Sequence, residues 1–300
     1  MLAEGGSVIL HQGVDAGAVL ASIERNRISR IYLPPTALYA LLAHPDAQTR
    51  DFSSLRHFVL SASPVAPQRL AEAVKVFGPV MTQVYGQAEV PFICTVLSRE
   101  DIAAAAADGG PQRRLASCGR PSLVARVEIM ADDGRLLGPE ETGEIVIRSA
   151  LVFDGYADDP EATAQTRRPG GWHGTGDVGL RDADGYIYLV DRKKDMIITG
   201  GFNVYPSEIE NLIHTFAEVD DCAVIGVPDA KWGEAVVAVI EPKRDRTIDA
   251  DAILAACKRA LGSVKTPKKI VVRPLPRSAV GKVLKRDLRE EFWAGHDRRV

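Results

Sequence analysis

Apolar residues recur along this chain at helical spacing in some stretches and in short unbroken runs in others, and over the first hundred residues the two patterns alternate. Residues 15–27 predict a helix behind an Asp cap with Val19, Leu20 and Ile23 on one side, and residues 30–34 predict a short buried strand. Thr36, after Pro35, is expected to cap a helix carrying Leu38, Leu41 and Leu42 that Pro45 ends. Residues 57–61 predict strand, 67–77 a helix with Leu70, Val74 and Phe77 in register, and 80–84 strand again. Such alternation argues for a parallel sheet, whose ligands gather at the carboxyl ends of its strands. Residues 98–110 predict an Ala-rich helix and loop after a Ser-x-x-Asp start. From Arg126 the pattern becomes strand and turn, with strands expected at 127–130, 144–148 and 186–190. After Asp191 it changes again: strand at 196–199, a helix from Pro206 with Ile209, Leu212, Ile213 and Phe216 inward, strands at 222–227 and 235–240, helix at 249–261, strand at 270–272 and a closing helix at 285–293. The expected organisation is α/β over 1–112, a β-rich subdomain over 113–191, and a compact α+β domain over 192–300.

Composition narrows this picture. Of the 300 residues, 46% are apolar, ample for packed cores, and the net charge of −3 gives no general attraction to nucleic acid or an anionic membrane. A local exception lies between Lys265 and Arg289, with nine basic residues and one acid, Asp287, and predicts a surface facing phosphates. Cys94, Cys118, Cys222 and Cys257 are far apart without a C-x-x-C spacing, which fits a reducing compartment and the cytoplasm rather than a disulfide framework. No apolar run approaches the ~18 residues of a membrane span.

The candidate chemistry centres on residues 171–211. There Gly171-Trp172-His173-Gly174-Thr175-Gly176-Asp177 is expected to set an acid in a Gly-rich turn, followed by a D-x-D-G turn, a buried strand, a charged joint from Asp191 to Asp195, a second strand, the Gly200-Gly201 turn and a Pro-led helix. This stretch resembles the adenylate-forming enzymes, which include acyl-CoA synthetases, luciferases and the adenylation domains of peptide synthetases. The resemblance implies that Asp177 holds the ribose hydroxyls of ATP and that Arg192 assists it; a carboxylate accepts two hydrogen bonds from a vicinal diol, and a guanidinium supplies a fork of donors.

Two further loops carry the same resemblance. Ser61-Ala62-Ser63-Pro64 is similar to the family's G-G-A-P turn along the adenine, and Tyr85-Gly86-Gln87-Ala88-Glu89 to Y-G-x-T-E. The implied nucleotide contacts are Ala62, Ser63, Pro64, Gln83, Val84, Tyr85, Gly86, Gln87 and Ala88, with Glu89 as ligand for Mg²⁺; Ala88 stands where threonine is usual and removes one hydroxyl from the phosphates. Near the end, residues 276–286 resemble P-x-T-x-x-G-K-x-x-R, which makes Lys282 the catalytic lysine that bridges the attacking carboxylate and the α-phosphate. Gly200 and Gly201 match the turn that contacts pantetheine, and Lys194 the pivot between two domains.

The resemblance implies an α/β fold: the C-terminal part of a large adenylate-forming domain, a parallel sheet plus β-rich subdomain ending at 191, then a small mobile α+β domain over 192–300. It implies an AMP-forming acyl-CoA synthetase using ATP, Mg²⁺ and CoA on a fatty or aryl acid, with no tightly bound prosthetic group. The alternatives are a peptide-synthetase adenylation domain or a non-catalytic remnant that binds nucleotide or a partner. The family's phosphate loop has no counterpart in residues 1–84, so this stretch by itself is expected to be inactive in adenylation and to expose a sheet edge.

Overall fold

The computed structural model describes residues 5–90, 93–278 and 283–294. Two compact units emerge: Met1–Thr175 with Gly179–Leu189, and Gly176–Val178 with Val190–Val300.

In the first unit, α1 (Ala16–Arg25) starts where the Asp15 carboxylate accepts the Ala18 N–H at 2.7 Å, as the sequence predicts. β1 (Arg30–Leu33) leads into α2 (Pro35–Ala43), whose N-cap is Pro34, with Pro35 in the first turn; Thr36 lies inside the helix and does not cap it. β2 (His57–Leu60), α3 (Pro67–Phe77) and β3 (Met81–Tyr85) follow, then β4 (Thr95–Leu97), α4 (Arg99–Ala106) and β5 (Arg120–Pro121). The sheet order is β1-β2-β3-β4-β5. Its first three strands are parallel, but β4 and β5 are antiparallel to their neighbours, so the sheet is mixed rather than parallel throughout. Only nine residues separate β3 from β4, too few for the crossover of a dozen or more residues that parallel pairing needs, so the short return leaves antiparallel pairing as the available geometry. Leu20, Ile23, Leu38, Leu41, Leu70 and Ile102 from the helices close over Phe58, Leu60 and Met81 of the sheet.

The β-rich part holds β6 (Arg126–Met130), β7 (Gly143–Arg148), α5 (Pro160–Gln165), β8 (Arg167–Arg168), β9 (Trp172–Arg181) and β10 (Ile187–Arg192), with sheet order β10-β9-β7-β6 and β8 on β9. β9 corrects the expectation of a Gly-rich turn: the G-W-H-G-T-G-D stretch is mostly extended strand. Two of its three glycines supply space, not reversal. A Cβ on Gly179 would lie 2.6 Å from the Tyr188 carbonyl and 2.8 Å from Ile145, and one on Gly174 would lie 2.6 Å from both Arg168 Cζ and Glu144 Oε1. Glu144 is buried and receives a two-point fork from Arg168 at 2.8 and 2.9 Å.

The second unit contains β11 (Ile197–Thr199), β12 (Phe202–Val204), α6 (Pro206–Ile213), β13 (Val219–Asp229), β14 (Gly233–Pro242), α7 (Ala250–Lys265), β15 (Lys269–Val272) and α8 (Lys285–Trp293). Its sheet runs β12-β11-β14-β13, with β15 parallel to β14. Alternate residues of β13 and β14 point to opposite faces, and each face is covered. Val224, Val236, Ala238 and Ile240 pack with Ile209, Ile213 and Ile253, while Ala223, Ile225, Val237 and Val239 pack with Leu275 and Leu288. The four cysteines are buried and unbridged.

Candidate functional site

In the first unit, two of the predicted loops leave the carboxyl ends of adjacent parallel strands, β2 and β3, paired from Phe58↔Met81 to Leu60↔Gln83. Ser61 is buried, while Ala62, Ser63 and Pro64 are exposed. Ala62 has φ of +79°, in the left-handed region, at the position of a glycine in the resembled G-G-A-P turn. The loop closes where the Ala66 N–H donates to the Tyr39 hydroxyl at 2.9 Å. Gln83 and Val84 are buried, and Gln83 Nε2 donates to the Ser117 carbonyl at 3.1 Å. Their side chains therefore belong to the core, which leaves the backbone as their means of meeting a ligand. Tyr85 and Gly86 are half-buried, Gln87 donates to the Thr175 carbonyl at 3.1 Å, and Ala88 is exposed.

Glu89 is held by residues far along the chain. Its backbone carbonyl accepts the Phe153 N–H at 2.8 Å, and its Oε1 accepts the Tyr156 hydroxyl at 2.8 Å. That bond holds the Tyr156 phenol above its ordinary pKa, since losing the proton would set two anions together. Below them His173 is buried, its ring edge-on to Phe153 at 5.7 Å, and neither ring nitrogen hydrogen-bonds to any described residue. Burial pushes its pKa down and keeps the imidazole neutral. Tyr156 and His173 escaped the sequence reading; the partner of each lies tens of residues away, although the F-D-G-Y spelling of 153–156 was a visible turn signal.

In the second unit, Asp177 is nine-tenths buried and Arg192 is exposed, with Arg192 Nε 3.6 Å from Asp177 Oδ1. Gly176, with φ of +71°, breaks the strand geometry just before the acid. Next along β10, Asp191 is buried and receives the N–H groups of Arg192 at 2.7 Å and Ser207 at 2.8 Å. It thus caps α6, whose own N-cap residue, Tyr205, makes no side-chain capping bond. Asp191 is a buried fastening rather than part of a solvated joint. Lys193–Asp195 is one 3₁₀ turn; Lys194 is exposed, and Asp195 accepts from Arg289 at 2.5 Å. Gly200 and Gly201 have φ of +58° and +82° and join β11 to β12. Beside them is a pocket of about 190 Å³ lined by Thr199, Phe202, Trp232, Ser263, Val264 and Lys268, with Lys231 Nζ 4.8 Å from the centre of the Trp232 ring.

Comparison with known proteins decides what this assembly belongs to. The AMP-binding enzyme family matches residues 1–157, and the AMP-binding enzyme C-terminal domain matches residues 208–282. The chain belongs to the AMP-binding enzyme family. It is 43% identical over 305 aligned positions to medium/long-chain-fatty-acid–CoA ligase FadD8 of Mycobacterium tuberculosis, covering 99% of this chain and 52% of that protein. It is 40% identical to a feruloyl-CoA synthase of an Amycolatopsis species, covering 97% and 57%. Among solved structures, the amide bond synthetase McbA from Marinactinospora thermotolerans superposes with a TM-score of 0.86 at 37% identity, covering 97% of this chain and 58% of that one. The chain spans little more than half the length of the relatives it matches.

Within this AMP-binding chain, Lys282 lies outside the described residues. Its flanks are pinned: Arg277 bridges to Val283, and the Leu284 N–H donates to the Pro276 carbonyl at 2.8 Å. Most of the surrounding cations are consumed internally. Lys265 pairs with Glu208, Arg273 with Glu291, Arg277 with Asp221 and Glu241, Lys285 with Glu210, Arg286 with Asp287 and Arg289 with Asp195. The basic stretch is mainly a set of tertiary ion pairs, which corrects the expectation that it faces phosphates as a block. As for a metal, no cluster of three His, Cys, Asp or Glu residues among the described ones could hold an ion. Glu89 fits a different arrangement: Tyr156 occupies Oε1, Oε2 accepts no hydrogen bond from the described residues, and a hard cation such as Mg²⁺ can be bound through one carboxylate plus substrate phosphates.

Proposed function

We propose that this chain serves ATP-dependent activation of a carboxylic acid to its acyl-adenylate, followed by transfer to the thiol of CoA, with a fatty or aryl acid as substrate. The observation that carries the reading is the Asp177–Arg192 pair. A nearly buried carboxylate with an exposed guanidinium at 3.6 Å offers acceptors to a ribose diol and donors beside them. The names of the relatives, a fatty-acid–CoA ligase and a feruloyl-CoA synthase, support the acid and thiol classes.

In this reading the exposed backbone of Ala62–Pro64 and the Tyr85–Ala88 loop meet the nucleotide, and Glu89 holds Mg²⁺, which when bound neutralises phosphate charge. Lys282 supplies positive charge to the α-phosphate as the acid attacks. The Gly200–Gly201 turn and its half-exposed Trp232 pocket receive the pantetheine end of CoA. Residues 1–191 act as part of the large domain, residues 192–300 act as the small domain, and Lys194 is the pivot between them. Among the described residues no helix is long and apolar enough to cross a membrane.

The test is ATP–pyrophosphate exchange by this chain completed to the length of its relatives. Asp177→Asn is expected to raise the KM for ATP on the order of 10- to 100-fold, the range for losing hydrogen bonds to a charged group. Lys282→Ala should lower adenylation by roughly 10²–10³ and spare thioester formation from supplied acyl-adenylate. An unchanged KM in Asp177→Asn would refute the ribose reading, and equal losses in both half-reactions would make Lys282 structural.

A further inference from the structure

Glu234 stands at the start of β14 and is buried, a position where a carboxylate needs compensation. Its Oε2 accepts the Ile198 N–H at 2.9 Å. The opposite strand makes room for it: a Cβ on Gly226 would lie 2.7 Å from Oε2 and 3.0 Å from the carboxyl carbon. β11 pairs with β14 at Thr199↔Gly233, so the carboxylate adds an acceptor just before that pair. Immediately after it, the Gly200 N–H donates to the Trp232 carbonyl at 2.8 Å.

Gly200 and Gly201 then form a two-residue hairpin turn closed by Thr199↔Phe202. Both central residues have positive φ, the conformation that matches the twist of such a hairpin. Gly200 also packs against Trp232 so closely that a Cβ would lie 2.7 Å from its ring. The turn is therefore held at the rim of the Trp232 pocket by one backbone bond after the pair and one carboxylate bond before it.

We propose that Glu234 is a positioning residue for the thiol substrate: through Ile198 it fixes β11, and hence presents the Gly200–Gly201 turn preformed to CoA. This rests on the reading of that turn as the CoA contact. Preformed backbone lowers the ordering cost of binding, so loss of the carboxylate bond should appear as weaker CoA binding.

Two measurements on this chain completed to the length of its relatives test it: amide hydrogen exchange over residues 196–204 and calorimetric CoA binding. Glu234→Ala leaves the Ile198 N–H without its acceptor and should speed exchange in this segment, and weaken CoA binding, each on the order of 10-fold. Glu234→Gln keeps an acceptor oxygen and should resemble the parent in both. Glu234→Leu removes the acceptor while keeping side-chain bulk, should reproduce Glu234→Ala, and carries the test if Glu234→Ala does not fold. Unchanged exchange in Glu234→Ala and Glu234→Leu would overturn the proposal, as would faster exchange with CoA affinity unchanged. A parent chain that binds no CoA would overturn the reading of the turn, while the exchange data would still decide whether Glu234 holds it.

Discussion

Lys285→Met should strip the second unit of much of its stability. Lys285 Nζ lies 2.7 Å from Glu210 Oε1, which also accepts the Val224 N–H at 2.6 Å, and both side chains are largely enclosed, at 20% and 14% exposure. Burial pushes the Glu210 carboxyl up, and the Lys285 ammonium opposes that rise. Burial favours losing the Lys285 proton, yet Glu210, with Asp191 and Asp195 nearby, holds its pKa above the ordinary 10.5. Removing the lysine leaves a desolvated carboxylate beside Asp191, a loss of about 3–5 kcal/mol for a broken buried pair. At ~4–8 °C per kcal/mol for a unit of ~100 residues, melting should fall by more than about 10 °C.

The pH dependence has a defined sign. In the parent, the raised Lys285 pKa makes its contribution fully present below 10.5 and lost as pH climbs through the folded value. In Lys285→Met, Glu210 rises further. Its protonated form favours the folded state, so the mutant should be least impaired near pH 5 and most impaired near pH 8. Urea unfolding followed by circular dichroism at both pH values measures this. Adding Glu210→Gln should recover over half of the loss and flatten the pH slope. A loss under about 1 kcal/mol, a mutant more stable at pH 8 than at pH 5, or no rescue by the second change would refute the reasoning.

Two further expectations concern the same folded state. Ala62→Gly should stabilise the first unit by about 0.5–1 kcal/mol, because relief of a left-handed alanine at ~1–2 kcal/mol exceeds the added chain entropy of glycine; a lower melting temperature would refute it. Burial pushes the Cys94 thiol up to about 12 and raises those of Cys222 and Cys257, so none of the four buried cysteines should react with a thiol reagent at pH 8 until urea unfolds the chain, whereas rapid native labelling would contradict the burial.

What could be read locally was read well. The helices at Pro67–Phe77 and Lys285–Trp293 have the limits their apolar spacing predicts, and β13 and β14 extend the expected runs. Thr36 was displaced as a cap by the local Pro34-Pro35 pair, but two larger misreadings share a cause: distant groups set the outcome. β9 looks like a turn because two of its glycines, Gly174 and Gly179, are explained only by Arg168 and Glu144, and by Tyr188 and Ile145, packed against them. The basic tail looks like a phosphate surface because its carboxylate partners Glu208, Glu210, Asp221, Glu241 and Asp195 lie well upstream. In the candidate site, Asp177 and Arg192 stand in a legible motif and lie 3.6 Å apart, whereas the bond from the Tyr156 hydroxyl to Glu89 spans 67 positions, beyond the reach of the local turn signal at 153–156. β4 and β12, three residues each, are too short to give a periodic signal.

The contact of Gly174 with the Arg168–Glu144 fork also constrains how this strand can evolve. Any side chain at 174 would enter space filled at 2.6 Å by both charged groups, so a first step there strands one or both charges in a buried site. The order of replacement is thereby fixed: positions 144 and 168 must first give way together to smaller neutral residues, after which 174 is released. The three positions form an epistatic set, in which a substitution at 174 that is deleterious here becomes acceptable in a background lacking the fork.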